Sequence, residues 1–257
     1  MTRFHRFSDD WNALGRKNPY GAILTGAAGE LPEWNLDEFF ATGRADAARF
    51  VAGLDRIAPA TRRGRLLDFG CGVGRVSRAL ASHFQSVVGI DAAASMIAQA
   101  RSLNASCPNC EFVVNRGEGL RVFDAGTFDV VYSRLVLQHI PPKLVRRFIP
   151  ELVRVVASGG VLMFQLPDEF PDEKTTFLNA PVVGNGIKRG LPRLLVRTYR
   201  RLKFPFVKGP KREMAMFGLP HATVLALLRE TDARVLAIEP DQSHGPEPPG
   251  YEYWLTR

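Results

Sequence analysis

The nine residues Leu67-Asp68-Phe69-Gly70-Cys71-Gly72-Val73-Gly74-Arg75 do most to limit the folds open to this chain. An apolar run ends there in three alternating glycines, and a helix-compatible run follows. Glycines at such a turn accept backbone conformations closed to other residues and let a ligand come close to the main chain. The turn does not stand alone. Arg65–Phe69, Ser86–Asp91, Glu111–Val114, Thr127–Ser133 and Val161–Leu166 read as short buried strands. Between them lie helical patterns that run to about Phe84, from Ala94 to about Asn104, and from Lys143 to Ala157, the last with Leu144, Phe148, Leu152 and Val155 on one face. Strands alternating with helices predict a parallel sheet covered on both faces, with right-handed crossovers. The fold class is therefore α/β, a Rossmann-like doubly wound sheet.

Residues 61–167 form this core. Ahead of it, 1–60 supply an N-terminal helical cap. Its helix falls at 37–57, where Phe39, Phe40, Phe50, Val51 and Leu54 recur at helical spacing until Pro59 stops them. Residues 1–35 are mixed, with Phe4, Phe7, Trp11, Tyr20 and Trp34 among turn formers. The alternation breaks at Pro167, and 168–219 read as an insert. It resumes over 220–257 with a helix from about Ala222 to Thr231 and strands Arg234–Glu239 and Tyr251–Leu255, which complete the sheet.

Charge is distributed unevenly. Eleven Lys and Arg and no Asp or Glu lie between Lys174 and Arg212; without them the net charge of +8 becomes −3. A globally basic surface would point to nucleic acid, and this chain does not have one. Within the insert, Gly190–Lys203 can form an amphipathic helix with Leu191, Leu194, Leu195 and Leu202 opposite Arg193, Arg197, Arg200 and Arg201. Three readings stay open: a basic helical lid that wets its arginines, a clamp for an anionic ligand, or peripheral contact with an anionic membrane. Phe204, Phe206 and Phe217 suit a membrane face or an apolar pocket. No stretch approaches the roughly 18 apolar residues of a membrane span. The first ten residues lack a secretory core, and three cysteines make no disulfide framework. A cytoplasmic protein is expected. Cys107-Pro108-Asn109-Cys110 has no second pair with which to hold zinc, so no metal is expected.

Two ligands compete for the glycine turn. Dinucleotide-binding folds carry G-x-G-x-x-G and rest a pyrophosphate on open amides at the helix start. Here the spacing is G-x-G-x-G, and the Asp68 carboxylate, two residues earlier, would repel a pyrophosphate while suiting a positive amine. Asp91, 21 residues beyond Gly70, ends the second strand, where a carboxylate accepts both hydroxyls of a ribose. An amine, a ribose and no phosphate describe S-adenosylmethionine.

At these residues the chain resembles the class I S-adenosylmethionine-dependent methyltransferases, closely over about 64–166 and weakly over 220–257. Leu67–Gly74 looks like the family's first motif. Thr127-Phe128-Asp129-Val130-Val131, with Leu135-Val136-Leu137-Gln138-His139-Ile140, looks like its fourth-strand segment. The resemblance implies seven strands, the last antiparallel, with S-adenosyl-L-methionine at the carboxyl ends of the first strands. It puts Gly70, Cys71 and Gly72 against the cofactor backbone, with Arg75 following on the helix. Asp68 falls near the methionyl amine, Asp91 at the ribose, Ala92 and Met96 beside the adenine, and Ser133, Arg134 and Gln138 along the pocket. Arg116 stands where many relatives carry an adenine-binding Asp, which leaves Gly117 and Glu118 as substitutes. Tyr20 and Trp11 close the pocket from the cap or simply pack there.

The acceptor is expected to be a small molecule, anionic or lipid-like, methylated on oxygen in preference to nitrogen. No nucleic acid is expected, because Ser133-Arg134-Leu135-Val136 replaces the Asn/Asp-Pro-Pro-Tyr/Phe of amino-methylating nucleic-acid enzymes. A nucleic-acid methyltransferase using the basic insert and a non-catalytic S-adenosylmethionine-binding protein remain the alternatives. His139 and His221 are the candidate bases. Against them stand blander roles, as a loop residue for His139 and a solvated helix start for His221.

Overall fold

The computed structural model describes residues 3–24, 32–168, 175–177, 213–243 and 248–257. Its core is one seven-stranded sheet. Strand β1 (Arg65–Phe69) is central, flanked in parallel by β2 (Ser86–Asp91) and β4 (Phe128–Ser133). Strand β3 (Cys110–Val114) extends one side and β5 (Val156–Pro167) the other. Strands β6 (Thr175–Phe177) and β7 (Glu213–Ala215) pair separately. Strands β8 (Arg234–Asp241) and β9 (Gly250–Thr256) finish the large sheet, whose order is β3-β2-β1-β4-β5-β9-β8. Strand β9 runs antiparallel to both neighbours. This is the seven-stranded Rossmann-like sheet read from the sequence.

The strands are nearly continuous runs of apolar residues because helices cover both faces. On one face α6 (Pro142–Arg154) buries Leu144, Val145, Phe148, Ile149, Leu152 and Val153. On the other, α3 (Leu36–Ile57) buries Phe50 and Leu54, and Phe50 stacks on Trp254 of β9 with ring centroids 5.6 Å apart. Each such side chain contributes roughly 1.5–3 kcal/mol by leaving water. Helix α3 starts where the Asn35 side chain accepts from the Asp37 amide at 2.8 Å, and it ends at Ile57 ahead of Pro59.

Several boundaries differ from the sequence reading. Residues 3–17 and 19–23 are helices α1 and α2, not mixed structure. Phe4, Phe7, Trp11 and Leu14 in fact recur at steps of three and four, the helical period. Helix α6 ends three residues before Ala157, and β5 begins five residues before Val161. The pairing register of β5 jumps from Phe128↔Val156 to Val130↔Val161. Gly159, at φ +74°, supplies the left-handed residue in this irregularity. Helix α4 (Arg75–Leu80) stops short of Phe84. Helix α5 (Ala94–Leu103) and helix α7 (His221–Arg229) lie within a residue or two of their predicted spans. The amphipathic helix expected at 190–203, and most of the basic window, lie outside the described residues. Among those described, no helix is long and apolar enough to cross a membrane.

A polar seam docks α1 on the start of α5. Ser8 Oγ donates to the Ala92 carbonyl at 2.8 Å. The Ser95 amide donates to Asn12 Oδ1 at 3.0 Å, and Gln99 Nε2 donates to the Gly15 carbonyl at 2.7 Å. These bonds hold α1 over the carboxyl ends of β1 and β2.

Candidate active site

A cavity of about 540 Å³ opens at those strand ends. One wall is the β1–α4 loop. Gly70, Gly72 and Gly74 have φ of +80°, +55° and +79°. Gly72 needs glycine for its left-handed dihedral, while a Cβ there would meet only the end of the Ile23 side chain of α2. Four of the loop's amides bond within the protein. Gly70 and Cys71 donate to the Ile90 carbonyl at 2.8 and 3.1 Å, and Gly74 donates to the Cys71 carbonyl at 2.9 Å. The Gly72 amide donates to Asp91 at 3.0 Å. A phosphate cradle needs amides open, and these four are engaged, in keeping with the argument from Asp68.

Three aspartates line the cavity, Asp46 of α3 beside Asp68 and Asp91. Asp91 accepts from the Gly72 and Ala93 amides, one on each oxygen. Each oxygen keeps a lone pair for a ligand hydroxyl. Burial pushes its pKa up, against the pull of these amides. Asp68 is 3% exposed and accepts from Ser77 Oγ at 2.5 Å. Burial pushes its pKa up to about 6, opposed by the Ser77 hydroxyl and the Arg75 charge. A buried carboxylate whose charged form pays a burial penalty gains most from a cationic ligand.

A buried ion network forms the polar end. Arg134, at the end of β4, lies 3.1 Å from Asp46 of α3, 3.7 Å from Asp241 of β8 and 3.4 Å from Glu252 of β9. Arg75 bonds Asp46 at 2.7 Å, and Arg49 meets Glu252 at 2.7 Å. Three cations and three anions tie the cap helix to the sheet. Leu135, next to Arg134, is the one non-glycine residue at positive φ (+60°) among those described, and it lines the cavity. Backbone strain of this kind gathers at ligand sites. The Leu135 amide donates to Gln165 Oε1 at 3.2 Å, which fixes the turn.

The other end is apolar. Phe4, Phe7 and Trp11 of α1 share it with Ile140, Phe148 and Met216. His139 lines the cavity edge-on to Trp11, with ring centroids 5.3 Å apart, and its Nε2 lies 3.2 Å from Gln138 Nε2. The Phe217 amide donates to the Gln138 carbonyl at 2.6 Å, which brings the chain returning from the insert against this turn.

Of the residues read from the sequence, the cavity brings together Asp68, Gly70, Cys71, Gly72, Arg75, Asp91, Ala92, Met96, Arg134, Gln138 and His139. Five lie elsewhere. Tyr20 packs on Phe39 with centroids 5.0 Å apart. Glu118 pairs with Arg147 on the surface, and Gly117 is exposed beside it. Ser133 is buried under the turn. His221 points at Tyr253, with Nδ1 2.8 Å from its hydroxyl and the two rings stacked, and tilts against Tyr251. Asn115 stands in the cavity where Gly117 and Glu118 were expected, because the chain turns outward immediately after β3. Asn115 was legible as the first residue past a strand end. Asp46, Phe4 and Phe7 come from the cap, where only the helical spacing of α1 pointed to them. Among the described residues no cluster of His, Cys, Asp and Glu could hold a metal ion.

Known proteins match this geometry. Residues 67–164 match the family model described as a methyltransferase domain. The chain is 38% identical over 112 residues to the 2-methyl-6-phytyl-1,4-hydroquinone methyltransferase of Synechocystis, covering 43% of this chain and 33% of that protein. It is 33% identical over 140 residues to the trans-aconitate 2-methyltransferase of Deinococcus radiodurans, covering 52% of this chain and 49% of that one. The chain thus spans a third to a half of the length of these relatives. Its fold resembles the magnesium protoporphyrin IX methyltransferase of Synechocystis, solved with S-adenosylhomocysteine, with a TM-score of 0.61 at 16% identity over 98% of this chain and 99% of that one. Sheet order and glycine loop are those of the Rossmann-like methyltransferase fold. Over residues 67–164 the chain therefore resembles the S-adenosylmethionine-dependent methyltransferases, and its sheet is that of their fold.

Proposed function

We propose that this chain binds S-adenosyl-L-methionine and methylates a small molecule with an apolar body, on oxygen in preference to nitrogen. One observation carries the reading: a single cavity joins Asp68, Gly72 and Asp91 to an aromatic chamber holding Trp11 and His139. The residues fit the cofactor. Asp68 is a buried anion for the methionyl ammonium, Asp91 keeps a lone pair on each oxygen for the ribose diol, and Ala92, Met96 and the Asn115 amide suit an adenine.

When bound, S-adenosylmethionine supplies a methyl already activated on a sulfonium, so the protein's task is positioning and exclusion of water. Helix α1 does both by laying Phe4, Phe7 and Trp11 across the chamber. An apolar or aromatic acceptor gains from leaving water there. His139 accepts the proton of an acceptor hydroxyl; an acceptor that arrives as a carboxylate needs no base.

The test is transfer of labelled methyl from S-adenosylmethionine to aromatic and long-chain phenols, carboxylic acids and amines. Label in phenols, or in acids as base-labile esters, is the expected result. Label confined to amines would overturn the oxygen preference. No transfer by folded protein that binds the cofactor would overturn catalysis.

A further inference from the structure

Cys107-Pro108-Asn109-Cys110 lies outside the cavity, and methyl transfer does not use it. We propose that Cys107 and Cys110 are a dithiol–disulfide couple, a redox modification site in the turn between α5 and β3. The two sulfurs are free thiols 2.6 Å apart, and both residues are half-buried and open to reagents. The Cys110 amide donates to the Cys107 carbonyl at 3.2 Å. That bond closes a β-turn, whose end Cα atoms lie within about 7 Å, a separation a disulfide spans without moving the backbone. The turn is pinned independently of the thiols. Asn109 Nδ2 donates to the Ala81 and Phe84 carbonyls at 2.8 and 3.2 Å. Cys110 also pairs in register with Val87 of β2. The fold therefore holds both sulfurs in reach and leaves little ordering for the bond to impose.

The chemistry balances with a low-molecular-weight disulfide such as oxidised glutathione. The Cys107 thiolate attacks one glutathione sulfur, forms a mixed disulfide and releases one glutathione thiolate. The Cys110 thiolate then attacks the Cys107 sulfur and releases the second. Two protein thiols lose two electrons and two protons, and one external disulfide becomes two thiols. Burial and the neighbouring Cys107 sulfur push the Cys110 thiol up, which disfavours Cys110 as the first attacking thiolate. The pair also backs onto the site. Cys110 Sγ lies 3.8 Å from the Ser77 carbonyl as a weak donor, and the Ser77 hydroxyl holds Asp68.

The test equilibrates the full chain with graded mixtures of oxidised and reduced glutathione. After acid quenching, the protein is unfolded, alkylated and weighed intact, beside Cys107→Ser and Cys110→Ser. The wild type is expected to fall from three alkylatable thiols to one, with loss of two hydrogens, no glutathione adduct, and a peptide linking residues 107 and 110. Cys107→Ser and Cys110→Ser are expected to stop at a mixed disulfide or stay reduced. Wild-type protein that keeps three thiols, accumulates the adduct, or links Cys71 instead would overturn the proposal.

Discussion

Asp68→Asn should make the ligand-free protein more stable at neutral pH and a worse binder of S-adenosylhomocysteine. Asp68 is 3% exposed, and burial lifts its pKa to about 6, against about 3.9 for an aspartate in an unfolded chain. A carboxyl whose folded pKa is raised favours the folded state below the unfolded value. That contribution disappears as pH rises through the folded value. The ionisation penalty is then about 1 kcal/mol at pH 4.5 and about 3 kcal/mol at pH 8. Asparagine keeps an oxygen for the Ser77 hydroxyl and carries no charge. The stability gained by Asp68→Asn should therefore grow by about 2 kcal/mol between those pH values, a difference of several degrees in Tm for a chain of this size. Thermal unfolding of both proteins at the two pH values reads it, since the subtraction cancels the titrating groups that do not face Asp68. Calorimetry on the same samples should show wild-type affinity for S-adenosylhomocysteine rising with pH through about 6, and a flat, weaker profile for the variant. A stability difference that does not change with pH, or equal affinities at pH 8, would refute the assignment of Asp68 as a buried, cation-seeking carboxylate.

Three further outcomes follow from the geometry. His139→Gln should lower kcat toward a hydroxyl acceptor by about 10²-fold or more and leave S-adenosylhomocysteine affinity within about twofold; equal turnover would remove His139 from proton transfer. Arg134→Met removes one cation from a network in which Asp46 keeps Arg75 and Glu252 keeps Arg49, at a cost of about 1–3 kcal/mol for the lost charged hydrogen bonds. Urea denaturation with wild-type midpoint would show that the network contributes nothing. Gly72→Ala forces a Cβ into φ +55° and against Ile23, costing about 1–2 kcal/mol from the dihedral alone. Cofactor affinity should fall with it, and a variant with wild-type Tm and affinity would contradict the need for glycine at that dihedral.

The sheet was legible because its residues answer to local rules. Apolar runs such as Ser86–Asp91 and Thr127–Ser133, glycines at the β1–α4 turn, and the spacing to Asp91 are properties of neighbouring residues. The wall built from the β1–α4 loop and the end of β2 was legible for the same reason. What sequence reading missed depends on long-range docking. Asp46 reaches the cavity because α3 lies across Arg75 and Arg134, 29 and 88 residues away. Helix α1 was hidden by its polar residues, yet Ser8, Asn12 and Gly15 are the groups that bond α5. Glu118 and His221 looked available by spacing, and each is engaged instead by a partner, Arg147 and Tyr253, that spacing does not reveal.

The measurement closest to the central claim is calorimetric titration of the protein with S-adenosylhomocysteine, with NADH as control, repeated on Asp91→Ala. Asp91 meets the Gly72 and Ala93 amides, so its removal takes away the proposed ribose contact and the brace of the glycine loop. Micromolar binding of S-adenosylhomocysteine, no binding of NADH, and a loss of at least about tenfold in Asp91→Ala are the predicted results. Binding of NADH in preference, or S-adenosylhomocysteine affinity unchanged in a folded Asp91→Ala protein, would contradict the account.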